Sequence, residues 1–405
     1  MLIQGRPRLN MVQTDAGRPL AADRLKAALA KQGIDAIVSM KPENSFYLSG
    51  FNPIIYSHPV VAIAPVEGNP ALLLHALRDD HARQTARIQD VRLYGAWGKK
   101  PTMGPDWMTA LVEILKEKKL DTGVIGLELD YIPAARAEAF KRALPNARFK
   151  DVSSLIEHVR YVKDPEEIAL ARQAAALSDR GMEAAIAALR AGGTEREISI
   201  EAMRAMNEFW ATSFPDIEVC TFGTLEGGAH NGLWCWTLSG ERVLFNADNP
   251  TSRRPQPDEI SIILIWTVAN GIHAENERAV ATGTLSPEKQ RAYDAVLTIR
   301  ERVQPMLKPG TAVADIYAHA REQYLALGYH DNVPGRIGHG IGLGAHEHLS
   351  IDGNSKDVLE PGMIVTFEPG LRLPAWGGLQ HSDTTLITDT GFEFLTTTER
   401  GFIQG

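Results

Sequence analysis

Residues 337–348 read Ile-Gly-His-Gly-Ile-Gly-Leu-Gly-Ala-His-Glu-His, and residues 366–370 follow as Thr-Phe-Glu-Pro-Gly. The first stretch places His339 between two glycines. Because glycine has no Cβ atom, its backbone can approach a ligand closely. The second stretch places Glu368 directly before a proline. We therefore expect His339 and Glu368 to be functional residues rather than ordinary loop residues.

The two stretches resemble the H-x-x-G-x-x-x-H-E and E-P-G elements of the creatinase/methionine aminopeptidase family, whose fold is called pita-bread. In the metallopeptidase members of that family, two aspartates, one histidine and two glutamates hold a pair of metal ions. The resemblance implies that His339 and Glu368 stand at the positions of that histidine and of the first glutamate. It covers nearly the whole chain and implies an α+β protein. A creatinase-like N-terminal α/β domain (residues 1–155) is expected before a pita-bread catalytic domain (residues 156–405).

Composition narrows the class of partner. A hydrophobic content of 44% and a charged content of 23% are typical of a soluble globular protein. The net charge of -8 disfavours nucleic acid and anionic membrane as partners, since both bind basic surfaces. Two cysteines cannot form a disulfide framework. With no signal peptide or membrane span recognised in the sequence, we expect a cytoplasmic enzyme with a small-molecule substrate, and the resemblance implies a homodimer.

Local patterns predict the elements of both domains. Strand and helix patterns alternate up to about residue 155, which favours an α/β domain. Asp164, Pro165 and the two glutamates after them predict the start of a helix that runs to about Leu189. Strands are expected in the second domain at Ile260 to Trp266, Arg278 to Ala281, Ile364 to Phe367 and Thr384 to Thr388.

The metal-binding pattern of the metallopeptidases is altered at three positions. Counting back from Arg278, the second aspartate is replaced by Glu275 and the first by Leu264. The last glutamate is replaced by Ser382, which precedes Asp383. Leucine offers no donor to a hard cation, and a neutral serine is a poor ligand.

Three of the five ligand positions therefore keep a donor side chain: Glu275, His339 and Glu368. We interpret the loss of the other two as a loss of metal dependence, and expect no cofactor. The alternative is one divalent metal at the three remaining residues, because three protein ligands and a water can serve a catalytic metal.

The closest match in residue pattern is creatinase, which has lost the same ligands. Its proton-shuttling histidine lies in a Gly-Ala-His-Asn motif, matched here at residues 228–231 by His230. A glutamate directly before an arginine is matched by Glu277, and the remaining matches are His339 and Glu368. The resemblance implies that these four residues are catalytic, with His230 as the acid and base near neutral pH.

Four further residues are expected to contact substrate. His58 stands before a proline where creatinase has an arginine that holds the substrate carboxylate. Trp234 begins a tryptophan-rich stretch that can hold a cation over an aromatic face. Glu275 and His346 complete the set.

These residues predict a metal-independent hydrolase of a C–N bond other than a peptide bond, acting on a small nitrogen-rich compound. Creatinase and ectoine hydrolase are the models for that activity. A metal-dependent member of the family, either an Xaa-Pro peptidase or a lyase that cleaves dimethylsulfoniopropionate, is the first alternative. A binding module without catalysis is the second.

Overall fold

The structure, a computed structural model, describes residues 21–223 and 231–405. The chain divides into two compact units. One runs to Arg160 and includes the short segment that begins at Thr221; the other comprises Tyr161–Cys220 and Asn231–Gly405. Within the described residues, no helix is both long enough and apolar enough to cross a membrane.

The first unit is a mixed six-stranded sheet with helices. Its strands are β1 (Ala36–Ser39), β2 (Val61–Pro65), β3 (Ala71–His75), β4 (Asp90–Tyr94), β5 (Val124–Leu127) and β6 (Arg148–Asp151). Its helices are α1 (Ala21–Lys31), α2 (Pro42–Ser49), α3 (Asp79–Thr85), α4 (Trp107–Glu117), α5 (Ala134–Ala143) and α6 (Ser153–Tyr161). The strand order is β4-β3-β2-β1-β5-β6, and β1 is parallel to β5 but antiparallel to β2. The predicted alternation of strands and helices is confirmed.

The second unit is built on an antiparallel sheet. Its strands are β7 (Trp234–Ser239), β8 (Glu259–Ala269), β9 (Ile272–Thr282), β10 (Ile364–Phe367), β11 (Gly370–Leu373), β12 (Gly377–Gln380), β13 (Ser382–Ile387) and β14 (Phe392–Phe394). Its helices are α7 (Pro165–Arg190), α8 (Glu195–Ser213), α9 (Pro287–Val303) and α10 (Val313–Ala326). The main sheet has the order β10-β13-β9-β8-β7, while β11 and β12 form a separate ribbon.

Helix α7 begins where the sequence predicts. The Asp164 N–H donates to Glu167 Oε2 at 2.9 Å, and the two residues form a capping box with Pro165 at the first turn. The helix packs against β8 and β9. Thr267 Oγ1 donates to the Ala174 carbonyl at 2.6 Å, which ties β8 to the helix.

The register of the sheet arranges two rows of side chains on one of its faces. The first, which we call the Leu264 row, crosses four neighbouring strands in the order Trp236, Leu264, Glu277 and Ser382. In the second, the Trp266 row, Trp266 lies opposite Trp234 and Glu275. Because successive residues of a strand point to opposite faces, residues two apart share a face, and both rows lie on one side. We call it the site face.

Strand β9 starts six residues before the predicted position, at Ile272 instead of Arg278. The early part carries polar residues that sequence patterns assign to loops, yet they are buried in this sheet. Strand β7 was not predicted, because its first residues, Trp234, Cys235 and Trp236, show no alternation of polar and apolar side chains.

Candidate active site

Three potential ligands converge beside the site face. Glu275 comes from β9, His339 from the glycine-rich loop, and Glu368 from the residue directly after β10. His339 Nε2 lies 3.7 Å from Glu275 Oε2 and 3.6 Å from Glu368 Oε1. One donor atom from each residue lies within 4.8 Å of the other two. The three residues that keep a donor in the sequence therefore meet around one point.

Backbone contacts orient the His339 ring. The backbone N–H of His339 donates to Thr366 Oγ1 at 2.9 Å, and the backbone N–H of Thr366 donates to the His339 carbonyl at 2.7 Å. The ring Nδ1 lies 2.9 Å from the Gly340 carbonyl. A carbonyl only accepts, so Nδ1 carries the hydrogen and the neutral ring presents an unprotonated Nε2. Nε2 is buried and has no hydrogen-bond partner among the residues that the structure describes.

Gly338 makes this approach possible. Its φ is +158°, and a Cβ atom there would lie 2.2 Å from the Thr366 carbonyl oxygen. Any other residue would push the histidine loop away from β10.

The two carboxylates are unequal. Burial raises the pKa of Glu275, but His339 and the donors Ser382 Oγ (2.5 Å) and Trp266 Nε1 (2.7 Å) outweigh it and lower this pKa to about 2. Burial, and then the charge of Glu275, raise the pKa of Glu368 to about 7. Burial lowers the pKa of His339, but Glu275 outweighs it, and the net pKa is raised. The cluster is therefore acid-rich and electrostatically suited to a cation.

These residues fit one divalent metal ion. Two carboxylates and a histidine with an unprotonated, unpartnered nitrogen form a donor set typical of a catalytic metal site. A second ion does not fit in the same way, because Leu264 supplies no donor atom and Ser382 Oγ already donates to Glu275.

Glu277 is a third buried carboxylate on the site face. It is 2% exposed, and its Oε2 has no hydrogen-bond partner in the described part of the chain. Burial, and then the charge of Glu275, raise its pKa to about 8. The structure thus brings Glu277 to the same face as Glu275 but outside the group of three donors, and its catalytic role stays a prediction.

Aromatic side chains line the site face from the edge strand inward. Trp234 contacts Trp236 with ring centroids 5.8 Å apart, and Trp236 contacts Trp266 at 5.1 Å. Trp266 then contacts His346 at 5.3 Å, and His346 contacts His339 at 4.2 Å. Since Trp234 is exposed, this aromatic wall leads from solvent to the three donors.

The loop that carries His346 is anchored by a buried ion pair. Lys163 Nζ lies 2.7 Å from Glu347 Oε2, and both side chains are almost completely buried. The Glu347 N–H also donates to the Gly340 carbonyl at 2.9 Å. Burial, and then the charge of His339, lower the pKa of His346 to about 4.

Two predicted site residues are not joined to this cluster by the structure. His58 belongs to the first unit, where its ring lies 4.1 Å from that of His75, and its role stays a prediction. His230 lies outside the described residues, and its role also stays a prediction.

Three residues near the donors were missed by sequence reasoning. Gln380 Nε2 donates to Glu368 Oε2 at 2.9 Å. Arg372 donates from its Nη2 to Gln380 Oε1 at 2.9 Å. Arg336 Nε lies 3.9 Å from Glu368 Oε1 and is largely exposed. No local sequence pattern marks any of the three. Arg372 and Gln380 reach the site through the pairing of β11 with β12.

Comparison with known proteins gives two family matches. Residues 169–389, more than half of the chain, match the metallopeptidase family M24, and residues 22–162 match the creatinase/prolidase N-terminal domain.

Individual relatives cover nearly the whole chain. A putative dipeptidase of Bacillus subtilis is 28% identical over 92% of this chain and 96% of its own length. An Xaa-Pro dipeptidase of Pyrococcus furiosus is 27% identical over 93% of this chain and 98% of its own length. The solved structure of the prolidase from Pyrococcus furiosus superimposes with a TM-score of 0.75 and 25% identity, covering 93% of this chain and 100% of that one. The expected family and the α+β fold with its pita-bread catalytic domain are confirmed.

These findings correct the predicted activity. The expectation of a metal-independent hydrolase of non-peptide C–N bonds, related in function to creatinase, is wrong, because the similar proteins are dipeptidases of a metallopeptidase family. The expectation of no cofactor is wrong as well. The error came from treating the five metal ligands as one unit. The structure separates them: two substituted positions lie in the Leu264 row, while Glu275, His339 and Glu368 still meet around one point.

Proposed function

Because this chain belongs to the metallopeptidase family M24, we propose that it is a metal-dependent peptidase that hydrolyses short peptides, with Xaa-Pro dipeptides as its substrates. The observation that carries the proposal is the convergence of Glu275, His339 and Glu368 around an unpartnered His339 Nε2. The names of the similar proteins supply the substrate class.

One divalent cation would be held by Glu275, His339 and Glu368. When bound, such a cation supplies Lewis-acid polarisation of a carbonyl and lowers the pKa of water. The protein's own contribution is orientation. Trp266 and Ser382 donate to the two oxygens of Glu275, and Gln380 donates to Glu368, so the carboxylates are fixed in direction.

Arg336 is suited to the substrate's C-terminal carboxylate. It is exposed, cationic and 3.9 Å from Glu368 Oε1, while its guanidinium can bind a carboxylate through two hydrogen bonds. A cation beside one of the three donors favours substrates whose C-terminal carboxylate lies close to the cleaved bond, as it does in a dipeptide. His346 contacts His339, and Trp266 contacts His346; the two rings offer a surface for the substrate's side chain.

The test combines metal content with turnover. The purified protein is treated with chelator, reloaded with Mn²⁺, Co²⁺ or Zn²⁺, and assayed on Leu-Pro, Leu-Ala and Leu-Pro-amide. We expect activity on Leu-Pro only after reloading, one ion per chain by elemental analysis, and slower hydrolysis of the amide. Full activity in the chelated protein, or no Leu-Pro hydrolysis with any of these metals, would contradict the proposal.

A matched pair of variants locates the site. His339→Ala should lose about a thousandfold in kcat/KM together with its bound metal, because metal assistance is worth several kcal/mol. The control is His319→Ala on helix α10, where His319 Nδ1 lies 3.7 Å from Glu322 Oε2; this variant should behave as wild type.

The homodimer and the cytoplasmic location stay predictions. Light scattering of the purified protein measures the first, and fractionation of cells that express it measures the second.

A further inference from the structure

The Leu264 row contains one carboxylate between two uncharged neighbours. Glu277 on β9 is flanked by Leu264 on β8 and by Ser382 on β13. Directly opposed side chains on one face of an antiparallel sheet have Cβ atoms about 5 Å apart. The two positions at which the family pattern loses a carboxylate are therefore the immediate neighbours of Glu277.

Glu277 is buried without enough partners. Within residues 21–223 and 231–405 its Oε2 makes no hydrogen bond, and the Gln380 amide is a neutral donor to the carboxyl group. Glu275 and Glu368 act on it as like charges, and Arg372 is the cation that acts on it from the β11–β12 ribbon. A buried carboxyl oxygen without a donor is unfavourable, so a hydrogen-bonding cation beside Glu277 would stabilise this position.

A single metal ion does not supply that cation. A divalent ion held by Glu275 and Glu368 has its charge balanced by those two carboxylates, which leaves Glu277 unbalanced. A second divalent ion beside Glu277 would meet the methyl groups of Leu264 and a serine already donating to Glu275. Hard cations need several oxygen donors.

An ammonium group meets the same need with different chemistry. It carries one positive charge and up to three N–H donors, and it needs one or two acceptors rather than a full ligand shell. Leu264 lies beside Glu277 in the row, and Trp236 lies beyond Leu264. Both are half-buried apolar side chains, so they reduce the water that would compete for the contact.

We propose that Glu277 binds the free α-ammonium group of the substrate, in the place that a second metal ion would otherwise occupy. This inference rests on the proposed peptidase function and deepens it: the substrates are short peptides with an unblocked N-terminus. Glu277 then selects substrate by charge, and the three donors around His339 act on the bond next to the residue that carries the amine.

Binding of two matched probes tests the inference. The Mn²⁺-loaded protein is titrated by calorimetry with L-leucinamide, which has a free ammonium group, and with N-acetyl-L-leucinamide, which has none. We expect the free amine to bind at least about tenfold more tightly, as a charge-assisted hydrogen bond contributes more than a neutral one. Equal binding of the two probes to the wild-type protein overturns the proposal.

The variant Glu277→Gln identifies the residue responsible. It should reduce the ratio of the two affinities to about one and keep one Mn²⁺ per chain. Glu393→Gln, an exposed carboxylate paired with Arg172, is the matched control and should keep the wild-type ratio. A Glu277→Gln protein that keeps the tenfold preference, or that loses its metal, overturns the proposal. If Glu277→Gln does not fold, the wild-type comparison of the two probes decides alone.

This experiment separates the two proposals. It measures binding and metal content and needs no hydrolysis of a dipeptide. Preference for the amine without Leu-Pro turnover would support the role of Glu277 and contradict the peptidase activity. Leu-Pro turnover with equal binding of both probes would support the peptidase activity and contradict the role of Glu277.

Discussion

Glu277 and Asp383 are two buried carboxylates on neighbouring strands, and they have opposite surroundings. Asp383 follows Ser382 and points to the face opposite the site face, where it accepts from Arg278 Nη2 at 2.7 Å and Thr396 Oγ1 at 2.7 Å. Arg300 and Arg400 also pair with it.

The pKa values record the difference between the two environments. Burial raises both, but Arg278 and the other guanidinium groups outweigh it and hold the pKa of Asp383 well below its usual range. Glu277 lacks such partners, and its pKa rises to about 8. Two carboxylates at the same depth in one sheet thus differ: Asp383 is satisfied on the face opposite the site face, which we call the structural face, and Glu277 on the site face keeps an oxygen that can accept a hydrogen bond from a ligand.

Removing the charge of Asp383 should have the largest effect on stability. Asp383→Asn leaves Arg278 and Arg300 buried without their counter-ion, which costs about 3–5 kcal/mol of the free energy of unfolding. Urea unfolding followed by circular dichroism measures it. Glu393→Gln, in an exposed pair with Arg172, should cost less than about 1 kcal/mol. If both variants lost the same free energy of unfolding, Asp383 would contribute no more to stability than an exposed ion pair, which would contradict this prediction.

The same kind of substitution at Glu277 should act in the opposite direction. Glu277→Gln removes a buried carboxyl group that has no cation beside its Oε2, so the metal-free protein should gain about 1–3 kcal/mol. Urea unfolding in chelator at pH 7 is the measurement. A destabilised variant would mean that Glu277, like Asp383, belongs to a satisfied structural network.

The free energy of unfolding should also depend on pH, because of a buried histidine near Asp383. Burial, and then Arg278 and Arg300, lower the pKa of His381 well below its usual range. The unfolded chain therefore binds a proton below about pH 6.5 that the folded protein does not. Stability should fall on acidification through that pH by up to about 1.4 kcal/mol per unit. The slope should be smaller in His381→Gln between pH 6.5 and 5; an unchanged slope would assign the effect to other groups.

The smallest expected effect concerns a single donor on the site face. Trp266→Phe keeps the aromatic contact with His346 and removes the hydrogen bond from Nε1 to Glu275 Oε2. We expect metal affinity to fall about tenfold, since groups that orient metal ligands are typically worth 10–100-fold. Competition with a chromogenic chelator measures it, and folding stability should change little. Unchanged affinity would show that Ser382 alone orients Glu275.

Sequence reasoning found the three donor residues because their spacing is local. His339 and Glu368 stand in short motifs, and Glu275 follows from counting back from Arg278. It could not find Gln380 or Arg372, because strand pairing rather than spacing brings them to the donors. It also gave β9 too late a start, because buried polar residues on a strand resemble a loop in sequence.

The error about metal has a physical origin. The sequence shows which ligand positions changed but not how they are distributed in space. In the sheet, Leu264 and Ser382 flank Glu277 in one row, while the retained donors meet elsewhere. Only this geometry shows that three donor side chains still converge after the other two ligand positions have been substituted.

Edge strand β7 carries Trp234 and Trp236, whereas the acidic side chains come from β9 and from the residue after β10. Under the proposed function, substrate recognition and chemistry would therefore come from separate segments. Substitutions on the edge strand should then change which peptides bind while leaving the three donor residues in place.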